Sequence, residues 1–405
     1  MEALSGSQLH GGAENLYVEV GQPDWLTSQG DQSGQGSSER PYYALFAIRV
    51  APRPMEVRLK WRWGFNNAAL LEEAADRMRQ FVEGQHPAED VPAGAATERA
   101  LALRCIAGGD GAVLDLSLVG RVRAATRRAA HEAAFEYWYE LMNAFPYDYQ
   151  LTPATNREIF YRWSGKDWVS PSAPTDKTEH PANRRQTGRL NPAALQVVEV
   201  QRFEGALATS ANFIYTLGCW RFALRSDEVI WRVLAGTSRP VMLNITLQPA
   251  VLQPNELYTL EEMRLAALPA TDAALPGVRR EAEWIATSFD ERIRSLRYPY
   301  IMRVHLLGPN GVPEGLVRNI GAAFTHPDLV DDRPPGYQSA SISDPREVEL
   351  CRRSLHWLEP MAYETPSVDP RFARLRYLFG VREALAAFRC PFPPEGGLPG
   401  VQFGA

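Results

Sequence analysis

Runs of apolar residues with a period of two, interspersed with segments of helical period, recur along this chain. That recurrence restricts it to folds in which helices cover a sheet. "YYALFAIRV" (42–50) and "EVRLKWRWGF" (56–65) alternate and are rich in aromatic and β-branched residues, with the turn-like "APRPM" between them. Two antiparallel strands are predicted. "NNAALLEEAADRMRQFVEG" (66–84) follows as a helix, with Asn67 at its N-cap and Gly84 at its C-terminal end. "ERALALRCIAG" (98–108) and "AVLDLSLVG" (112–120) flank a Gly-Gly-Asp-Gly turn and read as a hairpin. A long helix is predicted over 121–145. Before all of these, "NLYVEV" (15–20) reads as a strand that pairs across a Gly/Ser/Gln-rich loop at 28–40.

The second half repeats the theme. "LQVVEVQRFEG" (195–205) and "RPVMLNITLQP" (239–249) read as strands, the latter bounded by prolines, and "EVIWRVLAG" (228–236) as a short helix. Val278, Ala282, Ile285, Phe289, Ile293 and Leu296 share one face of a helix starting near Gly277. "YPYIMRVHLLG" (298–308) is the strand after it, and "PEGLVRNIGAAF" (313–324) a helix opened by Pro313. "GYQSASI" (336–342) suits an edge strand. "DPREVELCRRSLHWL" (344–358) suits a helix with Asp344 at the N-cap and Pro345 at N1.

The predicted fold class is α+β: two ferredoxin-like or split βαβ subdomains with mostly antiparallel sheets, plus a C-terminal hinge. The expected organisation is a flexible segment over 1–40, a first domain over 41–163, a long polar loop over 164–195, a second domain over 196–374, and a helix with a Pro/Gly-rich hinge over 375–405. The 405 residues suit two or three domains, and 45% hydrophobic content suits a sizeable core. No apolar run reaches the length of a membrane helix, and the N-terminus lacks a signal-peptide pattern, so a cytoplasmic protein is expected. Cys105, Cys219, Cys351 and Cys390 lie far apart, without a C-x-x-C pair. They support neither a zinc ribbon nor a disulfide framework. Net charge is −5 and argues against wholesale coating of nucleic acid. Lys60, Lys166 and Lys177 are the only lysines, so nearly all cationic character is arginine.

Catalytic motifs are sparse. "WSGKDW" (163–168) holds Gly165 and Lys166 but lacks the glycine loop and the Ser/Thr of a phosphate loop. Gly108, Gly109 and Gly111 fit a tight turn better than a dinucleotide fingerprint. No G-x-S-x-G, H-E-x-x-H or paired-histidine spacing occurs. His305, mid-strand, reads as a core histidine. Glu281/Glu283 and Asp331/Asp332 read as solvated charge. No catalytic, cofactor-binding or metal-ligating residue is assigned.

Two arginine groups are candidate anion or DNA contacts. Arg121, Arg123, Arg127 and Arg128 would open the first long helix, where cations oppose the macrodipole. The alternative is a solvated face paired with Glu132 or Glu136. Arg184, Arg185 and Arg189 lie in the basic stretch of the long loop. The aromatic run 135–149 reads as core through Trp138, Leu141 and Phe145, with Tyr137 and Tyr139 flanking it.

The tail "LRYLFGVREALAAFRCPFPPEGGLPGV" (375–401) resembles the segment just upstream of the motor in HerA/FtsK-related ATPases, including those of conjugative or type IV secretion. Glu383, Ala384, Ala387, Phe388, Arg389 and Pro391 match its short helix ending in proline. Leu398, Pro399 and Gly400 match its passage into the nucleotide-binding core. The stretch 298–325 is similar to those proteins' N-terminal regions. Gly380 and Val381 depart from the usual start of that helix, and the Walker A lysine, Walker B acid and arginine finger have no counterpart.

The resemblance implies a non-catalytic accessory region, bacterial and cytoplasmic. It implies a RecA-like motor domain beyond Ala405 or on another chain, which would carry ATP and Mg. It further implies a homo-oligomer, a hexamer, and contacts to DNA or secretion components. Glu383, Phe388, Arg389, Pro391, Pro399 and Gly400 would form the motor hinge. A stand-alone metal-dependent nuclease or hydrolase, and a binding scaffold of a phage, plasmid or defence operon, are the alternatives.

Overall fold

Alternation predicts strands, and pairing decides where each lies. In the computed structural model, residues 16–23, 40–53, 67–87, 98–108, 113–169, 195–208, 213–223, 226–272, 275–325, 336–361, 363, 365–392, 398 and 400–404 are described. The first half contains β1 (Glu19–Gly21), β2 (Tyr42–Pro52), α1 (Asn67–Gly84), β3 (Arg99–Ala107), β4 (Val113–Ala124), α2 (Arg127–Ala144), β5 (Tyr149–Pro153), α3 (Arg157–Trp163) and α4 (Lys166–Val169). The second contains β6 (Gln196–Arg202), β7 (Glu204–Ala208), β8 (Phe213–Leu217), α5 (Ser226–Ala235), β9 (Val241–Pro249), α6 (Pro254–Ala267), a 3-10 turn (Leu268–Asp272), α7 (Pro276–Ser295), β10 (Tyr300–Gly308), α8 (Glu314–Thr325), β11 (Tyr337–Ile342) and α9 (Pro345–Trp357). The tail adds α10 (Phe372–Leu375), β12 (Leu378–Phe379), α11 (Val381–Ala384) and β13 (Gln402–Phe403).

The fold is α+β, with an eleven-stranded, mostly antiparallel sheet among the described residues. Taken as β2-α1-β3-β4-α2-β5, the first half has the strand order β5-β2-β4-β3. Taken as β6-α5-β9-β10-α8-β11, the second has the order β9-β10-β6-β11. Both are the order 4-1-3-2 of a βαββαβ unit. The second unit carries a β7–β8 hairpin after its first strand and the α6–α7 helices between its second and third strands.

The two second strands join edge to edge. β3 pairs antiparallel with β9, Leu103 opposite Ile245 and Arg104 opposite Asn244. An approximate two-fold normal to the sheet therefore relates the units. The sheet runs unbroken across the boundary expected at 164–195, because β3 pairs with β4 on one edge and β9 on the other. Residues 170–194, with Arg184, Arg185 and Arg189, lie outside the described residues, as do the strand expected at 56–65 and the turn after Gly108. The N-terminal segment expected to be flexible supplies β1, which pairs with β2, and a buried Leu16.

Alternation sends one side of each strand to each face. Phe46, Leu103, Leu118, Ile245 and Val304 meet α1, α2, α5 and α8 in the main core. The opposite face is covered by α3, α4, α9 and the strap after α9, and it carries buried polar residues in number: Arg104, Ser117, Arg121, Glu199, Gln201, Asn244, Thr246, Arg303 and His305. The long helix expected from 121 is therefore corrected. β4 continues to Ala124, which puts Arg121 inside the fold, and α2 starts at Arg127 with the Thr126 side chain accepting from the Ala129 N–H.

These arginines hold the strap. Arg303 grips Glu199 with two bonds of 2.5 and 2.8 Å, and donates to the carbonyls of Pro360 and Tyr363, each at 2.8 Å. Arg104 donates to Asn244 Oδ1 at 2.8 Å and to the carbonyls of Ser164 and Leu355. Arg121 pairs with Glu359, which also accepts from the Tyr43 hydroxyl at 3.1 Å. Leu358 makes the turn from α9 into the strap in the left-handed region, φ 52°, with its side chain fully buried. A β-carbon there costs about 1 kcal/mol, which burial of the leucine offsets. His305 sits beside this cluster, its Nε2 against the Tyr363 hydroxyl. Burial drives the imidazole down to about 3. Burial would raise Glu199, but the Arg303 guanidinium holds it below the usual carboxylate range. His356 in α9 is also driven down to about 3 by burial.

Leu103 packs at the seam in the main core, and Leu103→Ala should cost about 3 kcal/mol. Because the sheet is continuous, urea unfolding should show one transition, with Trp138 and Trp231 fluorescence sharing its midpoint in single-tryptophan variants. Separate midpoints would show that the halves unfold independently. The buried histidines give the pH dependence. Both are neutral when folded and protonate when unfolded below about pH 6.5, so the unfolded state binds more protons and stability falls on acidification toward pH 3. His305→Gln and His356→Gln should each remove about 1.4 kcal/mol per pH unit from that slope between pH 6 and 4. An unchanged slope in urea melts across this range would refute it.

Candidate functional site

Of the first arginine group, Arg121 is buried, while Arg123 on β4 and Arg127 and Arg128 at the start of α2 are exposed. Arg128 donates to Glu132 across one helical turn at 2.7 Å, as a solvated helix face would. Gly165 and Lys166 do not form a phosphate cradle. The Lys166 ammonium engages Glu19 and the Tyr161 hydroxyl, and a β-carbon at Gly165 would meet the Met242 sulfur at 2.6 Å. Of the expected hinge, the described stretch 375–392 packs against the body, while 393–397 lie outside the described residues. β12 pairs with β10, β13 pairs parallel with β4, and Phe388, Arg389 and Pro391 are buried. The reason is composition: α11 and the residues after it present Val381, Ala384, Leu385, Ala386, Ala387 and Phe388 to the main core. Gly400 is exposed with φ +77°, and Pro399 lies outside the described residues.

That packing closes one side of a cleft of about 1060 Å3. α1 forms one wall, with Glu72, Asp76, Arg79 and Glu83. α7, α11 and the segment Cys219–Phe222 form the other, with Ser288, Arg292, Arg294, Arg382 and Glu383 and an exposed Glu291. Tyr298, Phe222 and Leu385 supply apolar surface between them. Arg79 on α1 is engaged along its own helix by Asp76 and Glu83. The first wall is therefore net acidic.

The second wall is organised around Glu383. Arg202, fully buried on β6, donates to Glu383 at 2.6 Å, donates to the Leu378 carbonyl at 2.5 Å, and lies 3.6 Å over the Phe379 ring. Arg292, on α7, stands 3.6 Å from the other Glu383 oxygen and donates to the Gly218 carbonyl at 2.9 Å. Burial pulls Arg202 down to about 9, against the attraction of Glu383 and with the repulsion of Arg292. One carboxylate thus serves two buried cations. Arg389 donates to the Ala223 carbonyl at 3.1 Å and fastens the same tail to the segment that carries Trp220.

Sequence reasoning singled out Glu383 but missed Arg202, Arg292, Cys219 and Trp220. Arg292 left a signal: it occupies the apolar stripe of α7, three residues after Phe289 and four before Leu296, where an arginine needs a buried partner. Among the described residues, no group of three or more His, Cys, Asp or Glu is placed to hold a metal ion. No helix among them is long and apolar enough to cross a membrane. No protein-family model matches this chain, and no curated protein matches it.

Removing the Glu383 charge strands two buried guanidinium groups. Glu383→Gln should destabilise the protein by about 3 kcal/mol in urea denaturation, while Arg382→Gln, on the exposed side of the same short helix, should change it by less than about 0.5 kcal/mol. Equal effects would show that Glu383 does not carry the wall.

Proposed function

We propose that this chain is a non-catalytic accessory region of a DNA-translocase or secretion-type P-loop ATPase of the HerA/FtsK-related kind, working with a RecA-like motor in cis or in trans. In this reading ATP and Mg belong to the motor, the working assembly is a homo-oligomer such as a hexamer, and the chain acts through surfaces in the cytoplasm. The exposed Arg123, Arg127 and Arg128 are its nearest candidates for contact with DNA or another anionic partner.

One observation supports it above others. The residues that carry the resemblance are anchored rather than slack: Glu383 to Arg202, Phe388 in the core, and Arg389 to the Ala223 carbonyl. A motor joined or docked at such a segment would be coupled to the sheet through buried contacts, so displacement at one would reach the other. A loose tether would transmit no such displacement. The anchoring of Glu383, Phe388 and Arg389 thus favours a rigid transmission element leading up to the proline- and glycine-rich stretch.

The purified chain should hydrolyse no ATP above background. Cross-linking in the native host followed by affinity isolation should recover a RecA-like ATPase. Turnover that persists across independent preparations, or cross-linked partners that include no such ATPase, would overturn the reading.

A further inference from the structure

The second wall of the cleft holds more buried positive charge than its buried acids neutralise. The Arg202 and Arg292 side chains, 0% and 3% exposed, share the single carboxylate of Glu383. Excess buried charge of this kind is costly unless a counter-charge reaches it. Two further donors there lack partners: Arg292 Nε and the indole N–H of Trp220, which is 2% exposed and lines the cleft. Buried donors are nearly always satisfied, by protein, water or ligand. Arg382, exposed at the rim, pairs with no carboxylate among the described residues.

The opposite wall sorts the ligand. Glu72 and Asp76 would repel an anionic group and accept hydrogen bonds from an amine. Between the walls, Phe222, Tyr298 and Leu385 offer apolar surface to a flat body. The volume, about 1060 Å3, is at the upper end for small-molecule sites.

We propose that this cleft binds a phosphate monoester on a flat, amine-bearing aromatic body, a nucleoside monophosphate in class, with the phosphate against Arg292 and Arg382 and the amine toward α1. Arginine's planar fork suits the phosphate oxygens. No bond is made or broken, and the site is one of binding.

The protein carries its own reporter. Cys219 lines the cleft and is partly exposed, whereas Cys105, Cys351 and Cys390 are buried. Iodoacetamide applied to the native protein, followed by peptide mass spectrometry, therefore reads Cys219. AMP at ten times its dissociation constant should slow that alkylation about tenfold, and Arg382→Glu should abolish the protection. Inorganic phosphate and adenosine, each at the AMP concentration, separate the sources. Protection by AMP well beyond either supports the monoester. Protection by phosphate equal to that by AMP overturns the aromatic body, and equal protection by adenosine overturns the phosphate contact. Alkylation unaffected by all three overturns the site, and because wild-type protein gives this reading, misfolding of a variant cannot mask it.

Discussion

Backbone carbonyls in irregular segments and at the ends of short elements must find donors once they leave water, and here buried guanidinium groups supply them. Arg303 serves Pro360 and Tyr363, Arg104 serves Ser164 and Leu355, and Arg376 serves Thr365 and Pro366. Arg202 and Arg292 do the same for Leu378 and Gly218. Segments without helix or strand can then be packed against a sheet face, because their orphan acceptors are met by side chains rooted in strands or helices. Lysine, a point charge on a flexible stem, could not span two carbonyls and a carboxylate at once. The scarcity of lysine in this chain and the quantity of buried arginine belong to one design.

The polar face of the sheet follows from the same constraint. A face lined with Leu and Val would attract any amphipathic helix, but one carrying Arg104, Asn244, Glu199 and Arg303 accepts only a cover that presents matching acceptors at matching positions. The strap after α9 does so, and Leu358 accepts a left-handed backbone to reach that register. Order in the cover thus depends on donors in the sheet. The tail obeys the rule from the other side, where Glu383 and the Leu378 carbonyl meet Arg202 while Phe388 enters the apolar core.

Much of the α+β fold was legible in the residues. The α9 start at Asp344 and Pro345, the apolar stripe of α7 and the strand between flanking prolines at 241–249 are local features, and local features declare themselves. The seam between β3 and β9 was not legible. Both strands are buried on both faces, and nothing within either names its neighbour. The position of Arg121 was misread because strand and helix meet there, and only a partner distant in sequence, Glu359, tells which side of the junction the arginine belongs to. The tail was only partly legible. Its prolines and glycines suggest a joint, and the burial of Leu385, Phe388 and Leu398 in the main core on either side of them does not declare itself in that composition. The cleft was invisible because its walls come from four separated stretches, although an arginine within the α7 stripe was a visible irregularity.

The two units share a strand order yet differ in outline, since only the second carries the β7–β8 hairpin and the α6–α7 helices. Fused on one polypeptide, they are freed from the duty that symmetry imposes on identical copies, where every change to a surface appears twice. Here one half can keep the common frame intact while its twin acquires inserts, and the cleft takes a wall from each. The molecule is one strand order used twice, with different additions each time.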